Sequence, residues 1–331
     1  MGLGITAIVE RWPVAGQFII ARGAKTYVDV LVVAVSDGEH VGLGEGTAIY
    51  YHGESAESCL AQIEAVIGAL SPLEVRAARD ATQTALPPGA ARNALDCALW
   101  DLEAKAAGMP LWQLVGLAAA PKSLQTAFTI SLGDPAVMEA DAAKAAARGF
   151  GLLKLKLTGE GDRERVAAVR KGAPDARLIV DANESWGGLD IAAEATALAA
   201  LGVEMIEQPV PVGQDALLEG VQSPVPFLAD ESCQSAADIE MCARYYDGIN
   251  IKLDKAGGLT EALKMRREAE ARGLKVMVGC MLSTSLGIAP AFLAAQGADW
   301  IDLDGPILLA RDRDDGFRFT GGKILHHVLE H

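Results

Sequence analysis

The sequence LLKLKL at residues 152–157 is followed by RLIVDAN at residues 177–183 and by VEMIEQP at residues 203–209. Each is a short apolar run with charged residues at or near its end, and stretches with helical spacing, such as residues 163–171, lie between them. A steady alternation of strand and helix predicts parallel strands that are joined by helical crossovers. We therefore expect this part of the chain to form an α/β unit.

The alternation extends over residues 121–310, which hold a series of similar strand candidates. Eight strand–helix units of this kind close into a barrel, whose C-terminal rim carries the chemistry. The sequence therefore predicts a TIM-type barrel as the main domain. The strand candidates are residues 125–130, 152–157, 177–180, 203–206, 226–229, 248–251, 275–278 and 300–303.

The N-terminal part of the chain follows a different pattern. Residues 28–35 and 41–45 are strand candidates on either side of the turn Ser36-Asp37-Gly38, which predicts a hairpin. Residues 55–70 and 90–107 have helical spacing. This grouping of strands and helices is typical of an α+β domain.

We therefore divide the chain into an α+β domain at residues 1–120, a barrel at residues 121–310 and a C-terminal segment at residues 311–328 that returns to the first domain. The run Gly42-Leu-Gly-Glu-Gly46 has no helix directly after it. We interpret it as part of the hairpin rather than as a dinucleotide-binding loop.

Composition excludes several classes of partner. The net charge of −15 argues against nucleic acid and anionic membranes, since both bind basic surfaces. No uncharged apolar run reaches the roughly 18 residues that a membrane helix needs. The five cysteines are an odd number and form no CxxC motif, which favours a reduced, cytoplasmic setting.

Three acidic residues end successive strand candidates. Asp181 and Glu207 are 26 residues apart, and Glu207 and Asp230 are 23 apart, so each step is one strand–helix unit. Three converging carboxylates repel one another unless a cation binds between them, and Mg²⁺ prefers such oxygen ligands. The alternative is that they are helix caps or ion-pair partners. At this stage Glu231 could replace Asp230.

Lysines flank this acidic group. Lys154 and Lys156 are two residues apart on one strand, so they point the same way, and Lys252 ends the strand candidate across the barrel. A lysine beside a metal ion and a second lysine has a lowered pKa and can act as a base. Two opposed bases could act on the carbon next to a carboxylate. One would remove the proton from one face of that carbon, and the other would return a proton to the opposite face. The alternative is that the lysines only neutralise the carboxylates.

The motifs Lys154-Leu-Lys156, Asp181-Ala-Asn183, Glu207-Gln-Pro209, Asp230-Glu-Ser232 and Asn250-Ile-Lys252 resemble those of the muconate-lactonizing subgroup of the enolase superfamily. The likeness covers nearly the whole chain. It implies a modified (β/α)₇β barrel with an N-terminal α+β capping domain that includes lid loops.

The resemblance also implies roles for these residues. Asp181, Glu207 and Asp230, rather than Glu231, would bind Mg²⁺. Lys156 and Lys252 would be the two bases, acting through a Mg²⁺-stabilised enediolate. Lys154 would be the electrostatic partner of that intermediate, and Asn183 would lie beside the metal.

Histidine positions exclude the related branches that use a histidine base on the barrel. None of the histidines lies on a barrel strand candidate. They are His40, His52, His326, His327 and His331.

The substrate is indicated by residues outside this group. Asp302-Leu-Asp304 ends the eighth strand candidate, either as a plain strand stop or as a site for a substrate ammonium group, and it resembles the dipeptide epimerases. Residues 18–23 resemble their lid loop, where Arg22 would meet the carboxylate of a glutamate side chain, although it could be an ordinary surface arginine. Thr129 resembles a further residue of that pocket.

The interpretation is therefore an epimerase of dipeptides, with L-Ala-D/L-Glu from murein peptide recycling as the expected substrate and a homo-oligomer as a possible assembly. Alternatives within the subgroup are an N-acylamino acid racemase, an o-succinylbenzoate synthase or a cycloisomerase. A non-catalytic barrel that binds a ligand is the alternative outside enzymes.

Overall fold

The structure, a computed structural model, describes residues 2–20 and 23–325, with residues 17–20 described in backbone only. The N-terminal domain is an antiparallel sheet of order β1-β2-β3 with helices packed on one face. Two short elements then lead into the barrel. The elements are β1 (Gly4–Ile20), β2 (Gly23–Ser36), β3 (Val41–Gly46), α1 (Ala56–Leu70), α2 (Val75–Ala85), α3 (Ala90–Ala106), α4 (Leu111–Leu114) and β4 (Leu124–Gln125).

The central strand β2 is buried on both faces, which explains its nearly continuous apolar sequence. Leu31 and Val33 pack against the helices of their own domain. Val28 and Val30 face the other way and pack against Leu282, which belongs to the barrel. One strand therefore contributes to two hydrophobic cores.

The glycines of β3 let helix α3 lie directly on the strand. A Cβ atom on Gly42, Gly44 or Gly46 would come within 2.1–2.2 Å of a backbone carbonyl oxygen of α3. The three glycines alternate along the strand and so share the face that α3 covers. The glycine run is thus a packing surface, in agreement with its interpretation as part of the hairpin.

The barrel is a sheet of eight parallel strands in chain order from β5 to β12, as predicted. Ala127 donates its N–H to the carbonyl of Ile301 at 2.8 Å, which joins the first strand to the last. A 3₁₀ turn, Asp215–Leu218, replaces the helix between β8 and β9. The strands are β5 (Phe128–Ile130), β6 (Leu152–Lys156), β7 (Arg177–Asp181), β8 (Val203–Glu207), β9 (Phe227–Ala229), β10 (Gly248–Lys252), β11 (Lys275–Gly279) and β12 (Trp300–Asp302), and the helices are α5 (Pro135–Ala147), α6 (Asp162–Gly172), α7 (Ile191–Ala200), α8 (Ile239–Tyr245), α9 (Leu253–Ala256), α10 (Leu259–Ala271), α11 (Ser285–Ala294) and α12 (Gly305–Leu308).

The inside of the barrel has an apolar layer below a charged layer. Leu152, Ile179 and Met205 belong to one buried cluster at the barrel axis. Two residues further along the same strands are Lys154, Asp181 and Glu207, which share the inner face by the period of two. The fold therefore gathers the charged strand ends above a dry base.

The first barrel strand is shorter than predicted. Residues 125–130 were expected to form one strand, but Gln125 pairs antiparallel with Lys323, and only Phe128–Ile130 belong to the barrel. Thr126 marks the change of partner, since its N–H donates to Gly322 and its hydroxyl accepts from the N–H of Leu303.

The C-terminal segment also differs from the expectation that residues 311–328 return to the N-terminal domain. Only its start does so, since Arg313 binds Glu10 and Glu45 at 2.9 Å each. The strands β13 (Arg318–Thr320) and β14 (Lys323–Leu325) instead pair with β4 at the opposite end of the barrel.

The segment expected to be a lid loop is partly a hairpin. Phe18 pairs with Lys25, and Ile20 pairs with Gly23, so the pairing of β1 with β2 extends as far as these residues. Ala21 and Arg22 lie outside the described residues. Within the part of the chain that the structure describes, no helix has the length and apolar character needed to span a membrane.

The contact between α3 and β3 predicts the effect of one substitution. Gly44→Ala should lower the free energy of unfolding by about 1–3 kcal/mol, because its Cβ would collide with the backbone of α3. Gly68→Ala is the matched control, since nothing lies within 4 Å of its Cβ and alanine favours helix α1 by roughly 0.5–1 kcal/mol. Urea denaturation measures both, and equal effects of the two changes would contradict the packing.

Candidate active site

Three carboxylates meet where β7, β8 and β9 end. Asp181 and Glu207 are the last residues of their strands, and Asp230 directly follows β9. All three are buried, and each offers one oxygen within 4.8 Å of the oxygens of the other two. Burial and the charge of Asp181 raise the pKa of Glu207 to about 7. A hard divalent cation fits this donor set.

Each carboxylate of this acidic triad is paired with a lysine. The Nζ atom of Lys154 lies 2.5 Å from Glu207 Oε2. Lys156 donates to Asp181 Oδ2 at 2.6 Å, and Lys252 donates to Asp230 Oδ2 at 2.6 Å. The lysine side chains thus supply positive charge at the oxygens where a cation would bind.

The neighbouring carboxylates raise the pKa of two of these lysines, Lys252 and Lys154. Burial lowers the pKa of Lys252, but Asp230 and Glu207 outweigh it, so the pKa lies well above its ordinary value. The pKa of Lys154 is likewise raised by Asp302, Glu207 and Asp181 in spite of burial. The lowered pKa expected from the sequence therefore requires a cation that takes up the negative charge.

Two of the lysines approach the acidic triad from opposite sides. Lys156 ends β6 and Lys252 ends β10, and these strands are four places apart in an eight-stranded barrel. Four places are half of the circumference. A carbon held between their Nζ atoms would present a different face to each.

The turn that carries Asp230 is held by Gln208. Its Oε1 accepts from the N–H groups of Asp230 at 2.9 Å and Ser232 at 3.1 Å, and its backbone has a positive φ of 36°. This arrangement directs Asp230 into the acidic triad. Burial and the charge of Asp230 raise the pKa of the adjacent Glu231, which also lines the pocket, to about 8.

Asp302 and Asp304 line the same pocket, but only Asp302 lies on a strand. Asp302 Oδ2 accepts from Lys154 at 2.8 Å, and its buried Oδ1 has no hydrogen-bond partner among the described residues. Asp304 precedes α12 and accepts from the N–H of Thr129 at 2.7 Å. Burial and Asp302 raise the pKa of Asp304 to about 7. The pair forms an acceptor site with unused hydrogen-bonding capacity.

Asn183 lies beside the acidic triad. Its N–H donates to Asp181 Oδ1 at 2.9 Å, and its φ of 45° turns the chain sharply after β7. The buried side-chain oxygen of Asn183 has no hydrogen-bond partner among the described residues. Arg22 cannot be placed, since it lies outside them. Every other predicted site residue lines this pocket except Glu207, which is buried beside Asp181 and Asp230.

The N-terminal domain supplies pocket residues that sequence reasoning missed. Lys25, Tyr50 and Tyr51 line the pocket, and Lys25 Nζ lies 4.7 Å from the centre of the Tyr50 ring. Burial lowers the pKa of Lys25, which has no ion-pair partner within the described part of the chain. An adjacent pair of tyrosines after a strand was the only signal for this group in the sequence.

The segment with these tyrosines is tied to helix α9. Asp254 accepts from the N–H of Thr47 and from Asn93 Nδ2, at 2.8 Å each. Thr47 in turn donates its hydroxyl to the carbonyl of Leu282, which lines the pocket. The helix that follows the strand of Lys252 therefore also fixes the N-terminal side of the site.

Two family models match the chain. The one described as the mandelate racemase/muconate lactonizing enzyme N-terminal domain matches residues 3–116, and the one described as enolase C-terminal domain-like matches residues 137–324.

Curated relatives match nearly the full length. L-Ala-D/L-Glu epimerase of Escherichia coli K12 is 44% identical over 315 residues, which are 95% of this chain and 97% of the relative. N-acetyl-D-glutamate racemase of a Pseudoalteromonas species is 38% identical over 295 residues, 89% of this chain and 92% of the relative.

Solved structures are similar over the same length. An enolase family member of Agrobacterium tumefaciens with homology to dipeptide epimerases, which holds sodium and L-Ala-L-Glu, has a TM-score of 0.92 and 47% identity, covering 98% of this chain and 97% of that one. A dipeptide epimerase of Methylococcus capsulatus, complexed with Mg and L-Arg-D-Lys, has a TM-score of 0.90 and 32% identity, with coverage of 98% and 97%.

Asp254 should make the stability of the protein depend on pH. Burial raises the pKa of Asp254 from 3.8 to about 7, so the folded state binds a proton that the unfolded state has released between these values. Its contribution to stability is present at low pH and is lost as the pH rises toward 7, by at most about 1.4 kcal/mol per pH unit. Asp254→Asn should remove this slope in urea denaturation between pH 4 and 8. A stability difference between wild type and variant that stays constant with pH would show that Asp254 ionises normally.

Proposed function

Because the chain belongs to the mandelate racemase/muconate lactonizing enzyme family of the enolase superfamily, we propose that it inverts the α-carbon of the C-terminal residue of a dipeptide, with L-Ala-D/L-Glu as the substrate. It is an isomerase, as its curated relatives are epimerases and racemases. The observation that carries the proposal is the pair of lysines on opposite strands, Lys156 and Lys252, with the acidic triad between them.

The two lysines divide the work of proton transfer. The unprotonated amine of one lysine removes the proton from the α-carbon, and the ammonium of the other returns a proton to the opposite face. After one turnover their protonation states are exchanged, so the two lysines serve the two epimers in turn. Lys154 lies between the acidic triad and Asp302, where its fixed charge favours an anion formed at the substrate carboxylate.

We propose Mg²⁺ as the cofactor and the acidic triad, Asp181, Glu207 and Asp230, as its ligands, with Asn183 beside them. When bound, the ion would take up the negative charge of its ligands, lower the pKa of the lysines nearby and stabilise negative charge on the substrate carboxylate. The chemistry of the three oxygen donors and the Mg complex of the Methylococcus capsulatus relative support this choice.

Asp302 and Asp304 are proposed to bind the free ammonium group at the N-terminus of the dipeptide, with Thr129 holding Asp304 in place. Two features support a cationic ligand here: Asp302 Oδ1 has no hydrogen-bond partner among the described residues, and burial together with the charge of Asp302 raises the pKa of Asp304. An ammonium group would supply positive charge and donate hydrogen bonds to both carboxylates.

Lys25, together with Arg22 as expected from the sequence, is proposed to meet the side-chain carboxylate of the substrate. A half-buried cation without an ion-pair partner among the described residues is costly unless a ligand pairs with it. Lys25 belongs to β2 of the N-terminal domain, whereas Asp302 and Asp304 lie at the end of the last barrel strand, so different parts of the fold would bind the two ends of the dipeptide. A role in murein peptide recycling, a cytoplasmic location and a homo-oligomer stay predictions.

A second candidate function is racemisation of an N-acylated amino acid, which the 38% identity to N-acetyl-D-glutamate racemase favours. Such a substrate keeps the α-proton, the carboxylate and the acidic side chain of glutamate but has no ammonium group. The two functions therefore differ in their need for Asp304.

Loss of either proposed base should stop epimerisation while leaving part of the exchange reaction. Lys156→Ala and Lys252→Ala should each lower the rate of epimerisation of L-Ala-L-Glu by about 10²–10⁴ with Mg²⁺ present. In D₂O each variant should still exchange the α-proton of one epimer, because it retains one base. Proton NMR follows deuterium at the α-carbon of the glutamate.

The matched control is Lys264→Ala, which removes an exposed lysine of α10 and should not change the rate. Two variants that both epimerise at the wild-type rate would end the two-base mechanism. Exchange of both epimers by one variant would assign the inversion to a single base.

Asp304→Asn separates the two candidate functions, because it removes the charge and keeps the shape. We expect kcat/KM for L-Ala-L-Glu to fall by roughly 10–100-fold, the contribution of one hydrogen bond to a charged group. Turnover of N-acetyl-L-glutamate, which has no ammonium group, should change much less. Equal losses on both substrates would remove the argument for ammonium binding, and a wild type active only on N-acetyl-L-glutamate would favour the second candidate.

A further inference from the structure

Lys255 is a buried lysine that the proposed mechanism does not use. It lies on α9, three residues after Lys252, and only 2% of its surface is exposed. Its Nζ atom donates to Asp230 Oδ1 at 2.6 Å and also to the backbone carbonyl of Asp230. Further acceptors are the carbonyls of Cys233 at 3.1 Å and Asn250 at 3.3 Å.

Two of these contacts are with the same residue, Asp230. An ammonium that binds both the carbonyl and the carboxylate of Asp230 fixes its side chain relative to its backbone. The carbonyls of Cys233 and Asn250 anchor the ammonium to the turn after β9 and to β10. The orientation of Asp230 is therefore set from below the pocket.

Lys255 and Lys252 divide the carboxylate of Asp230 between them. Lys255 binds Oδ1, whereas Lys252, one of the two proposed bases, binds Oδ2. Lys252 lines the pocket and must leave Oδ2 to act on a substrate, but Lys255 does not line it. Of the two lysines on this carboxylate, Lys255 is therefore the one that can remain bound through the whole reaction.

We propose that Lys255 is a positioning residue, which holds the carboxylate of Asp230 through Oδ1 in the orientation in which this side chain would bind a divalent cation. This inference rests on the proposed function of the acidic triad. Removal of a residue that orients a metal ligand through a hydrogen bond lowers the metal affinity by about 10–100-fold.

The direction in which the Mg²⁺ affinity changes when Lys255 is removed distinguishes a positioning role from a purely electrostatic one. A lysine that acted only as a nearby positive charge would repel the cation, so its removal would tighten Mg²⁺ binding. Removal of a lysine that orients a metal-binding carboxylate would instead weaken Mg²⁺ binding. The two roles predict opposite changes in one measured constant.

The experiment is titration of the purified, metal-free protein with Mg²⁺ alone in a calorimeter, without substrate. Lys255→Met should raise the Kd for Mg²⁺ by about 10–100-fold relative to wild type. The matched control is Arg79→Met, which removes another buried cation paired with a carboxylate, Glu103, in the N-terminal domain. It should lower the melting temperature and leave the Kd for Mg²⁺ unchanged.

An unchanged or lower Kd in Lys255→Met would overturn the positioning role. If that variant does not fold, Lys255→Gln is titrated in its place, with the same expected direction and the same contrary result. Failure of the wild type itself to bind Mg²⁺ would instead refute the proposed cofactor, and with it the inference, so the two failures are distinguishable.

Discussion

The site depends on mutual neutralisation of charges that the barrel buries together. Asp181, Glu207 and Asp230 each face a lysine, and the removal of one member would leave an uncompensated charge in a dry interior. The strands can hold this layer because the residues below it are apolar and close the base of the barrel. The chemistry and the fold therefore share one requirement, which is that the carboxylates and the lysines are all present together.

Much of this arrangement could be predicted from the sequence because parallel strands impose a simple rule. Residues two apart on a strand share a face, and equivalent positions on neighbouring strands share a level. Successive acidic residues are separated by one strand–helix unit, so their spacing in the sequence predicts that they converge at the rim of the barrel. The eight strands and the order of the domains followed from the same alternation of elements.

The remaining features depend on contacts that local patterns do not encode. The first barrel strand loses Gln125 to the C-terminal hairpin, since a backbone partner nearly two hundred residues away in sequence competes for it. Asp304 reaches the pocket by a bend after β12 and not by strand alternation. Lys25 and Tyr50 belong to the N-terminal domain, and the strand–helix pattern of the barrel does not indicate which residues of that domain reach the pocket. Gln208 and Lys255 act through hydrogen bonds that form only in the folded chain.

The double burial of β2 limits how the molecule can open. Val28 and Val30 are packed against the barrel while Leu31 and Val33 are packed against the helices of the N-terminal domain. A hinge motion that swung this domain away would expose the apolar side of its own central strand to water, at a cost that grows with the area uncovered. Separation of the two domains is therefore disfavoured as a route by which small molecules enter or leave the pocket.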